Sequence, residues 1–443
     1  MLRPPNKFLD YKLTTSDRVF RNFTDVLFSE IGIVGNLRDV KKEFLITLLM
    51  NLKLNYESNT FVNVPLRPEY YADIADKYRT PKHSYEVTKQ IVEALAKHSY
   101  IILNKGDNDS RQTSSCKASL TLYKLLNSFP KTIITREKPQ TFVVLREFDE
   151  ELQDYIETDY DAPLADAINE EIKEYATVRE KTSLSLKNIP KQIFELCREN
   201  LNALCLENTN KLIPDINGCY NVNLIPSYPV RIFSNDFNNG GRFYRGVETE
   251  LRQRHRLKDN SIVKIKLRQY LHINNNHTIE LDYNAMHPRM LYHRKRVNYR
   301  DDPYTIGRNC DENLRSIYKL VSMICINSEN EFAAIDGIQK TLQDKGLVKY
   351  LPDNTDNTRR KLINAFKRHN KPIEEFFFTG VGIELQKVDS DIAHSILLHF
   401  ARKGILVLCV HDSFIIEEKY ESELKKKMRE FYFQYLRFQP KIK

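Results

Sequence analysis

The chain of 443 residues has no tryptophan, few glycines (13), and seven cysteines without a Cys-x-x-Cys pair or a metal-ligand spacing with histidine. This cysteine pattern argues against a zinc-ribbon type of site and fits reduced thiols in a cytosol-like compartment. Long hydrophobic runs are absent too, since the longest aliphatic stretch, at residues 44–52, is far shorter than a membrane span. The polar, proline-broken start indicates no secretory signal. We therefore expect a cytoplasmic protein that has no membrane partner.

The composition is that of a folded globular protein with a mild basic excess. Hydrophobic residues make up 41% of the chain, enough for a sizeable core, and the length suits two or three domains or one large multi-lobed enzyme. The 68 Lys and Arg residues outnumber the 59 Asp and Glu residues, which gives a net charge of +9. Such a balance permits a polyanionic partner without requiring one.

The first 135 residues are predicted to form a helical domain with the element order of a winged helix. Helical spacing covers residues 14–56, and residues 84–98 form another amphipathic helix. An apolar strand at 100–104, a polar turn at 106–110 and a strand- or helix-like segment at 119–129 follow. A winged helix would bind nucleic acid, but an ordinary α+β packing unit has the same order, and the sequence leaves both open.

Residues 136–225 are predicted to form a second, mostly helical region. Carboxylates are dense between residues 147 and 175, but they share no single face and follow no apolar strand, so we interpret them as a solvated helix surface. Residues 183–212 have the apolar spacing of a further amphipathic helix.

Near the C-terminus, residues 405–417 read as two buried strands joined at a tight polar corner. Six apolar residues precede His411-Asp412-Ser413, and another apolar run follows. This corner would hold Asp412 rigidly, so its carboxylate is a candidate anchor for a divalent cation. A metal site needs a second carboxylate.

Asp282 is the predicted partner of Asp412. It ends an alternating segment, 278–281, that reads as a half-buried strand, and a segment with helical spacing follows it. Two carboxylates on neighbouring strands can hold two Mg²⁺ ions about 3.5–4 Å apart, which stabilises the attacking and leaving oxygens of an in-line phosphoryl displacement.

Two further segments carry residues suited to a nucleotide or a nucleic acid. One face of a predicted helix carries four residues at i, i+4 spacing, namely Arg315, Lys319, Met323 and Asn327. Its two cations suit a triphosphate, although solvated surface charge is an equal alternative. Gly240-Gly241-Arg242 concentrates glycine in a glycine-poor chain, which suggests a close backbone approach to a ligand, with a plain turn as the alternative.

With these elements in order, the C-terminal half resembles a family A polymerase, the group of bacterial DNA polymerase I and the single-subunit phage and mitochondrial RNA polymerases. Motif A of that family, Asp-Tyr-Ser-x-Ile-Glu-Leu-Arg, is matched by Asp282-Tyr283-Asn-Ala-Met-His287-Pro-Arg289. Motif B, Arg-x3-Lys-x7-Tyr-Gly, is matched at Arg315 and Lys319, with Asn327 in the tyrosine position. Motif C is matched by His411-Asp412, and the Ser413 that follows is closer to the RNA-polymerase branch.

Three weaker matches extend the resemblance to residues 235–418. The segment Gln386-Lys-Val-Asp-Ser-Asp391-Ile is similar to a Gln-x4-Asp-Ile helix of DNA polymerase I. Gly241-Arg242 is similar to a Gly-Arg motif that contacts the primer–template, and Arg268 lies in a basic segment like the one that leads into motif A. The whole pattern is similar to compact family A-like polymerases of mobile elements and viruses.

The resemblance implies an α+β protein with right-hand architecture, in which a palm with an antiparallel sheet and helical fingers occupy residues 226–443 and a thumb occupies 136–225. It implies a monomeric, template-directed nucleotidyltransferase of the DNA-polymerase type, acting in DNA replication, that uses two Mg²⁺ ions, or Mn²⁺ in their place. The partners would be a primer–template and nucleoside triphosphates. An RNA polymerase or primase on the same scaffold, and an inactive nucleic-acid-binding protein, are the alternatives.

The resemblance also assigns roles to individual residues. Asp282 and Asp412 would be the catalytic metal ligands, with the Tyr283 carbonyl as a further ligand. Nucleotide binding would fall to Arg315, Lys319, Asn327, His287 and Tyr283. Nucleic-acid contacts would come from Arg242, Arg268, Arg289, Gln386, His411, Arg359 and Arg360.

Two departures from the family pattern leave the choice of sugar open. DNA polymerases of this family have glutamate, which blocks a ribose 2′-hydroxyl, where this chain has His287, and they have tyrosine where it has Asn327. Both changes loosen sugar discrimination.

Overall fold

The structure is a computed structural model that describes all residues except 1–5, 57–59, 73, 75–77, 107–112, 130–133, 150–153, 203–211, 248–249 and 255–261. It is a mixed α and β protein, about half helical, with several antiparallel sheets. This agrees with the predicted α+β class, whereas the right-hand arrangement stays a prediction.

The helices and strands of the described residues are as follows. The helices are α1 (Arg18–Glu30), α2 (Arg38–Asn55), α3 (Pro68–Ala72), α4 (Tyr85–Lys97), α5 (Leu120–Asn127), α6 (Pro163–Lys181), α7 (Lys191–Asn202), α8 (Met286–Arg294), α9 (Glu312–Asn327), α10 (Glu331–Asp344), α11 (Asp356–His369), α12 (Gly382–Ala401) and α13 (Glu421–Leu436). The strands are β1 (Asn6–Phe8), β2 (Leu13–Thr14), β3 (Phe61–Asn63), β4 (Ile101–Asn104), β5 (Ser115–Ala118), β6 (Thr135–Arg136), β7 (Val143–Asp149), β8 (Asp154–Thr158), β9 (Leu184–Pro190), β10 (Cys219–Asn223), β11 (Val230–Ser234), β12 (Asp236–Tyr244), β13 (Glu250–Arg254), β14 (Ile262–Lys266), β15 (Leu271–Ile273), β16 (Asn276–Asp282), β17 (Leu408–Val410) and β18 (Ser413–Glu417).

The chain forms two compact units. Unit 1 contains Met1–Val144, Glu151–Val230 and Arg245–Thr278, and unit 2 contains Leu145–Glu150, Arg231–Tyr244 and Ile279–Lys443. Of the predicted site residues, only Arg268 belongs to unit 1.

The N-terminal part of unit 1 packs its helices around one hydrophobic core. The predicted helical content of residues 14–56 is confirmed by α1 and α2, and Asp17 caps α1 by accepting hydrogen bonds from the amides of Val19 and Phe20. Phe20, Leu48 and Ile91 are fully buried in this core. The apolar periodicity of the sequence therefore placed these helices correctly.

The segment with the winged-helix order folds as predicted in its first half. Helix α4 begins after the capping Ser84, and β4 pairs with β5 in an antiparallel hairpin. The strand that returns is β5, however, while residues 120–127 are the helix α5, capped by Ser119. Most of the predicted turn at 106–110 lies outside the described residues. The winged-helix interpretation stays a prediction.

The helical interpretation of residues 147–158 is wrong. Residues up to Asp149 belong to β7 and residues 154–158 to β8, and the helix α6 begins only at Pro163. Strand β7 starts with three buried residues, Val143, Val144 and Leu145, and a continuous apolar run of this kind is typical of a buried strand. Proline at the first position of α6 fixes the start of that helix.

The predicted helix over 183–212 is half wrong as well. Residues 184–190 form β9, in which Leu184, Leu186 and Ile189 are buried, and α7 covers only 191–202. Asn188 takes a left-handed backbone conformation at φ 56°, which interrupts any helical hydrogen-bond ladder. Residues 203–211 of this prediction lie outside the described part of the chain.

Unit 2 places a long helix and several strands around the candidate site. Its part of β16 lies beside β18, which pairs with β17. In another sheet β12 lies beside β11, and β11 lies beside β7. Helix α12 packs along β12, and α9, α10 and α11 pack on one another. Leu385, Ile392 and Ile396, at helical spacing, form the buried face of α12.

Candidate active site

The two predicted catalytic carboxylates come together at the ends of neighbouring strands. Asp282 is the last residue of β16, and Asp412 lies in the two-residue turn between β17 and β18. The amide of Tyr283 donates a hydrogen bond to the carbonyl of Asp412 at 3.2 Å, which links the two segments directly. The predicted hairpin is thus confirmed, although its first strand is only three residues long.

The turn that presents Asp412 is held by backbone geometry. His411 has a left-handed conformation at φ 58°, and the register Val410 with Ser413 leaves only His411 and Asp412 in the turn. The flanking strands are anchored because all five residues of β18 are buried. A hairpin that cannot slip fixes the half-buried Asp412 relative to β16.

The C-terminal residues cover the other edge of the segment that carries Asp282. The amide of Lys443 donates to the carbonyl of Asp282 at 2.9 Å, and the amide of Asn284 donates to the carbonyl of Lys441 at 2.8 Å. Tyr283 and Ile442 form an antiparallel bridge between these contacts. The backbone around Asp282 is therefore paired on both sides, which limits its movement.

Electrostatics at the pair favour a bound cation. Burial and the negative charge of Asp412 raise the pKa of Asp282 to about 6, although the charges of Lys319 and Lys443 lower it. Two carboxylates that repel each other where water is partly excluded are stabilised by a bound cation, because it offsets their repulsion.

The donor set fits Mg²⁺ in its usual protein environment. Among the residues that the structure describes, no group of three or more His, Cys, Asp or Glu side chains could hold a metal ion. Mg²⁺, however, keeps several waters and is commonly held by one or two carboxylates together with substrate phosphates. Asp282 and Asp412 match that pattern. The side chain of Tyr283 is buried and donates to the carbonyl of Met428 at 2.6 Å, so only its backbone is available as a ligand.

Helix α9 presents the predicted nucleotide-binding residues as an exposed stripe. Lys319, Met323 and Asn327 are exposed at successive turns, and the charge of Lys319 reaches Asp282. Arg315, one turn earlier, is half-buried and forms an ion pair with Asp302 at 2.7 Å, stacked over the ring of Tyr304. Lys319 therefore has its ammonium available to a phosphate, whereas Arg315 is shared with a protein carboxylate.

A glycine sets the position of Asn327 at the end of α9. The side-chain amide of Asn327 donates to the carbonyl of Met323 at 2.6 Å. A Cβ atom at Gly382, the first residue of α12, would clash with the side-chain oxygen of Asn327. The close approach of the two segments thus depends on the missing side chain.

His287 and Arg242 meet at Asp389, a carboxylate for which the sequence predicted no role. Asp389 on α12 accepts from Nε of Arg242 through both carboxylate oxygens at 3.2 Å and lies 2.8 Å from Nε2 of His287. Its side chain is only 1% exposed. Burial opposes the ionisation of Asp389, but hydrogen bonds from His287 and Arg242 outweigh it and lower the pKa of Asp389.

A second buried pair fixes α12 to the same strands. Arg231, whose side chain is 2% exposed, forms an ion pair with Asp391 at 2.9 Å and donates to the hydroxyl of Ser390. Its Nε also donates to the carbonyl of Gly241 at 2.8 Å. In the sequence, Asp391 is marked only by the motif that is similar to one of DNA polymerase I, and Arg231 only by being a charged residue in an apolar strand.

Other predicted nucleic-acid ligands lie in structural positions. Arg289 is 4% exposed and donates to Asn284 and to the carbonyls of Tyr299 and Asp301. The side chain of Arg359 is 3% exposed and donates to Asn354 and Asp356. These guanidinium groups hold loops of the protein, so their interaction with nucleic acid stays a prediction that the geometry does not favour.

The remaining predicted ligands are more accessible. Arg360 forms an ion pair with Glu331 at 2.9 Å and stacks over the exposed ring of Phe332. Exposed His411 places its ring 6.2 Å from that of Tyr244, and Gln386 is half-buried on α12. Arg268 begins a short 3-10 turn in unit 1.

No protein-family model matches the chain, and no curated protein matches it either. Over the described residues, no helix has the length and apolar character needed to cross a membrane.

Proposed function

We propose that the protein is a template-directed nucleotidyltransferase that extends the 3′ end of a nucleic acid. The observation that carries this proposal is the placement of Asp282 and Asp412, from segments far apart in the chain, at adjoining strand ends joined by a backbone hydrogen bond. The exposed Lys319, whose charge acts on Asp282, supports a triphosphate as substrate.

In this proposal Asp282 and Asp412 would hold two Mg²⁺ ions. When bound, the ions would supply activation of the 3′-hydroxyl and neutralisation of the triphosphate and the leaving pyrophosphate. The two side chains have to be ionised for this role, and the rigid backbone on both sides of Asp282 keeps its carboxylate in register with that of Asp412.

The other residues would bind and orient the reactants. Lys319 would attract the triphosphate as a point charge on the exposed face of α9, with Arg315 behind it in its ion pair with Asp302. Met323 and Asn327 continue that face, one and two turns further on, towards a base or sugar. Exposed His411 and the pair of Arg360 and Phe332 offer cationic or aromatic contacts to a nucleic-acid strand.

Primer extension tests the proposal. The wild-type protein with Mg²⁺ and a primed template is expected to add nucleotides, and Asp282→Ala and Asp412→Ala are each expected to abolish addition while nucleic-acid binding persists. Extension that survives both substitutions would contradict the mechanism. Binding without any extension by the wild type would favour an inactive nucleic-acid-binding protein.

A matched control uses a carboxylate away from the pair. Asp336→Ala removes an acidic side chain from α10 in the same unit and is expected to leave extension unchanged. Supplying a bare single-stranded template beside the primed one separates a polymerase that needs a primer from a primase.

A further inference from the structure

We propose that Arg179 binds a small planar anion of single negative charge, of the carboxylate class, in the interior of unit 1. The candidate active-site carboxylates Asp282 and Asp412 belong to unit 2, and the anion site does not depend on the function proposed above. What points to the site is a buried guanidinium group of which two nitrogens lack a hydrogen-bond partner.

The side chain of Arg179 is almost completely enclosed by the protein. It is only 2% exposed, near the end of α6. Burial lowers the pKa of Arg179, but a guanidinium group stays charged in proteins at neutral pH. A full positive charge therefore lies where water is largely excluded, and such a charge has to be paired.

The carboxylate nearest to Arg179 in the chain is bound elsewhere. Consecutive residues of a helix do not share a face, so Glu180 is directed away from Arg179. Glu180 forms an ion pair with Lys138 at 2.8 Å and accepts a hydrogen bond from the hydroxyl of Tyr228 at 3.1 Å. Within the described residues, no carboxylate forms an ion pair with Arg179.

The other groups around Arg179 supply no negative charge. Those near enough to affect its pKa are Tyr175, Tyr228 and Arg136. Tyrosine hydroxyls are neutral near pH 7, and burial raises the pKa of Tyr228 to about 12. Arg136 is itself a cation, and it forms an ion pair with Asp10 at 2.9 Å.

The unpaired donors of Arg179 lie on one edge of its guanidinium group. On the other side, Nη1 donates to the carbonyl of Thr182 at 3.0 Å, at the end of α6, where the helix dipole offers about half a negative charge. Nε and Nη2 are buried and have no partner among the residues that the structure describes. These two nitrogens direct parallel N–H groups the same way, which is the arrangement that binds both oxygens of a carboxylate.

A carboxylate matches both the donors and the charge at Arg179. Water would accept from Nε and Nη2 but would leave the buried charge uncompensated. A phosphate would bring further oxygens and up to two negative charges, whereas the neighbouring cation, Arg136, already pairs with Asp10. The anion has to be small, because protein encloses the guanidinium group.

Equilibrium dialysis of the wild-type protein against ¹⁴C-labelled formate tests the binding. We expect about one bound formate per chain, which excess acetate displaces and phosphate at the same concentration does not. Ion chromatography of the anions released on denaturation detects a carboxylate that the protein already holds. Neither bound formate nor a released carboxylate would mean that water alone fills the site and would overturn the proposal. Stronger displacement by phosphate than by acetate would overturn the carboxylate class.

Hydrogen exchange on peptides covering 163–190, which include α6 and β9, tests the residue. At constant ionic strength and saturating formate, protection of the wild type should rise about tenfold for each tenfold increase in formate. Arg179→Met should show no dependence on formate. Arg179→Lys keeps the charge but loses the planar fork, so it should need about tenfold more formate for the same protection. A wild-type response in Arg179→Met would overturn the assignment.

Arg231→Met is the matched control, since it removes another buried arginine, one that pairs with Asp391. It is expected to lower the melting temperature and to keep the formate dependence of peptides 163–190. Loss of that dependence in Arg231→Met to the same extent as in Arg179→Met would show a general effect of lost stability and would overturn the specific role. If neither variant of Arg179 folds, the dialysis and the released anions of the wild type still decide between a bound carboxylate and water.

Discussion

Replacing Gly241 by alanine should destabilise the junction between β12 and α12 by more than backbone strain alone would. Gly241 has φ +77°, and a Cβ atom there would lie 2.7 Å from the ring of Phe233, 2.9 Å from the guanidinium of Arg231 and 3.0 Å from the hydroxyl of Ser390. Phe233, Arg231 and Ser390 are buried, so none can move aside freely.

The expected cost has two parts. A left-handed conformation costs a residue with a Cβ about 1–2 kcal/mol, and overpacking of a well-packed interior costs about 1–3 kcal/mol. The sum is about 2–5 kcal/mol, reduced by about 0.4–1 kcal/mol because alanine also restricts the unfolded chain.

Gly307→Ala separates the two parts. Gly307 lies in the same unit at φ +81°, with nothing within 4 Å of a Cβ atom, so alanine there meets the backbone cost alone. The difference between the two variants, about 1–3 kcal/mol, is then the packing cost. Gly240→Ala should fall between them, because its closest contact would be 3.3 Å, to the carbonyl of Ile232.

Hydrogen exchange measured on peptides covering 231–244 and 382–401 is the appropriate assay, since a chain with two units need not unfold in one step. Protection in these peptides should fall in Gly241→Ala by about ten- to a hundredfold relative to Gly307→Ala. Equal protection in the two variants would refute the argument that the tight contact with Arg231 and Ser390 holds the junction.

Three further predictions concern charge. Asp282→Asn should stabilise the metal-free protein at pH 8, because the raised pKa of Asp282 reflects burial and repulsion by Asp412. Since Asp282 is only half-buried and solvent screens its charge, the gain should be about 1–2 kcal/mol, and it should fade as the pH falls from about 6 to below 4, where the wild-type carboxyl is itself neutral. Denaturation with urea across this range checks the prediction, and a gain independent of pH would contradict it. Burial and the charge of Arg289 lower the pKa of His293 to about 4. Because the unfolded chain therefore binds the proton more readily, the stability contributed by neutral His293 is complete above pH 6.5 and is lost as the pH falls towards 4. His293→Gln should therefore reduce the drop in melting temperature between pH 7 and pH 5, and an equal drop in both proteins would argue against this cause. Exposed Lys319→Ala should weaken nucleotide binding about tenfold and leave the melting temperature unchanged, whereas Arg315→Ala, which breaks the ion pair with Asp302, should also lower the melting temperature. Titration with a triphosphate and a thermal melt measure the two effects, and an equal change of melting temperature in both variants would contradict the assigned environments.

The sequence by itself determined the local parts of the candidate site. The apolar runs on either side of His411-Asp412 predicted the hairpin, and alternation before Asp282 predicted the strand that ends there. The spacing of Arg315, Lys319, Met323 and Asn327 predicted one helical face, and α9 exposes the last three while Arg315 is half-buried. These features depend on the periods of strands and helices, which neighbouring residues determine.

The local sequence pattern predicted the wrong secondary structure where strands carry charged residues or where a segment changes from strand to helix. The carboxylates after Glu147 suggested a helix, but the buried run at the start of β7 determined a strand. The apolar spacing after residue 183 fits a helix as well as the strand β9. The left-handed Asn188 and the pairing of β9 with β10 determine that residues 184–190 form a strand.

Only the tertiary structure decided which charged residues face a ligand and which hold the protein together. Asp389 bonds Arg242 and His287, which lie 147 and 102 residues away in the chain, and no periodicity encodes such a meeting. Arg289 matched a family motif by its offset from Asp282, yet burial commits its donors to loop carbonyls. A buried charge has to be paired or hydrogen-bonded within the protein, so its partners depend on which distant segments the fold brings beside it.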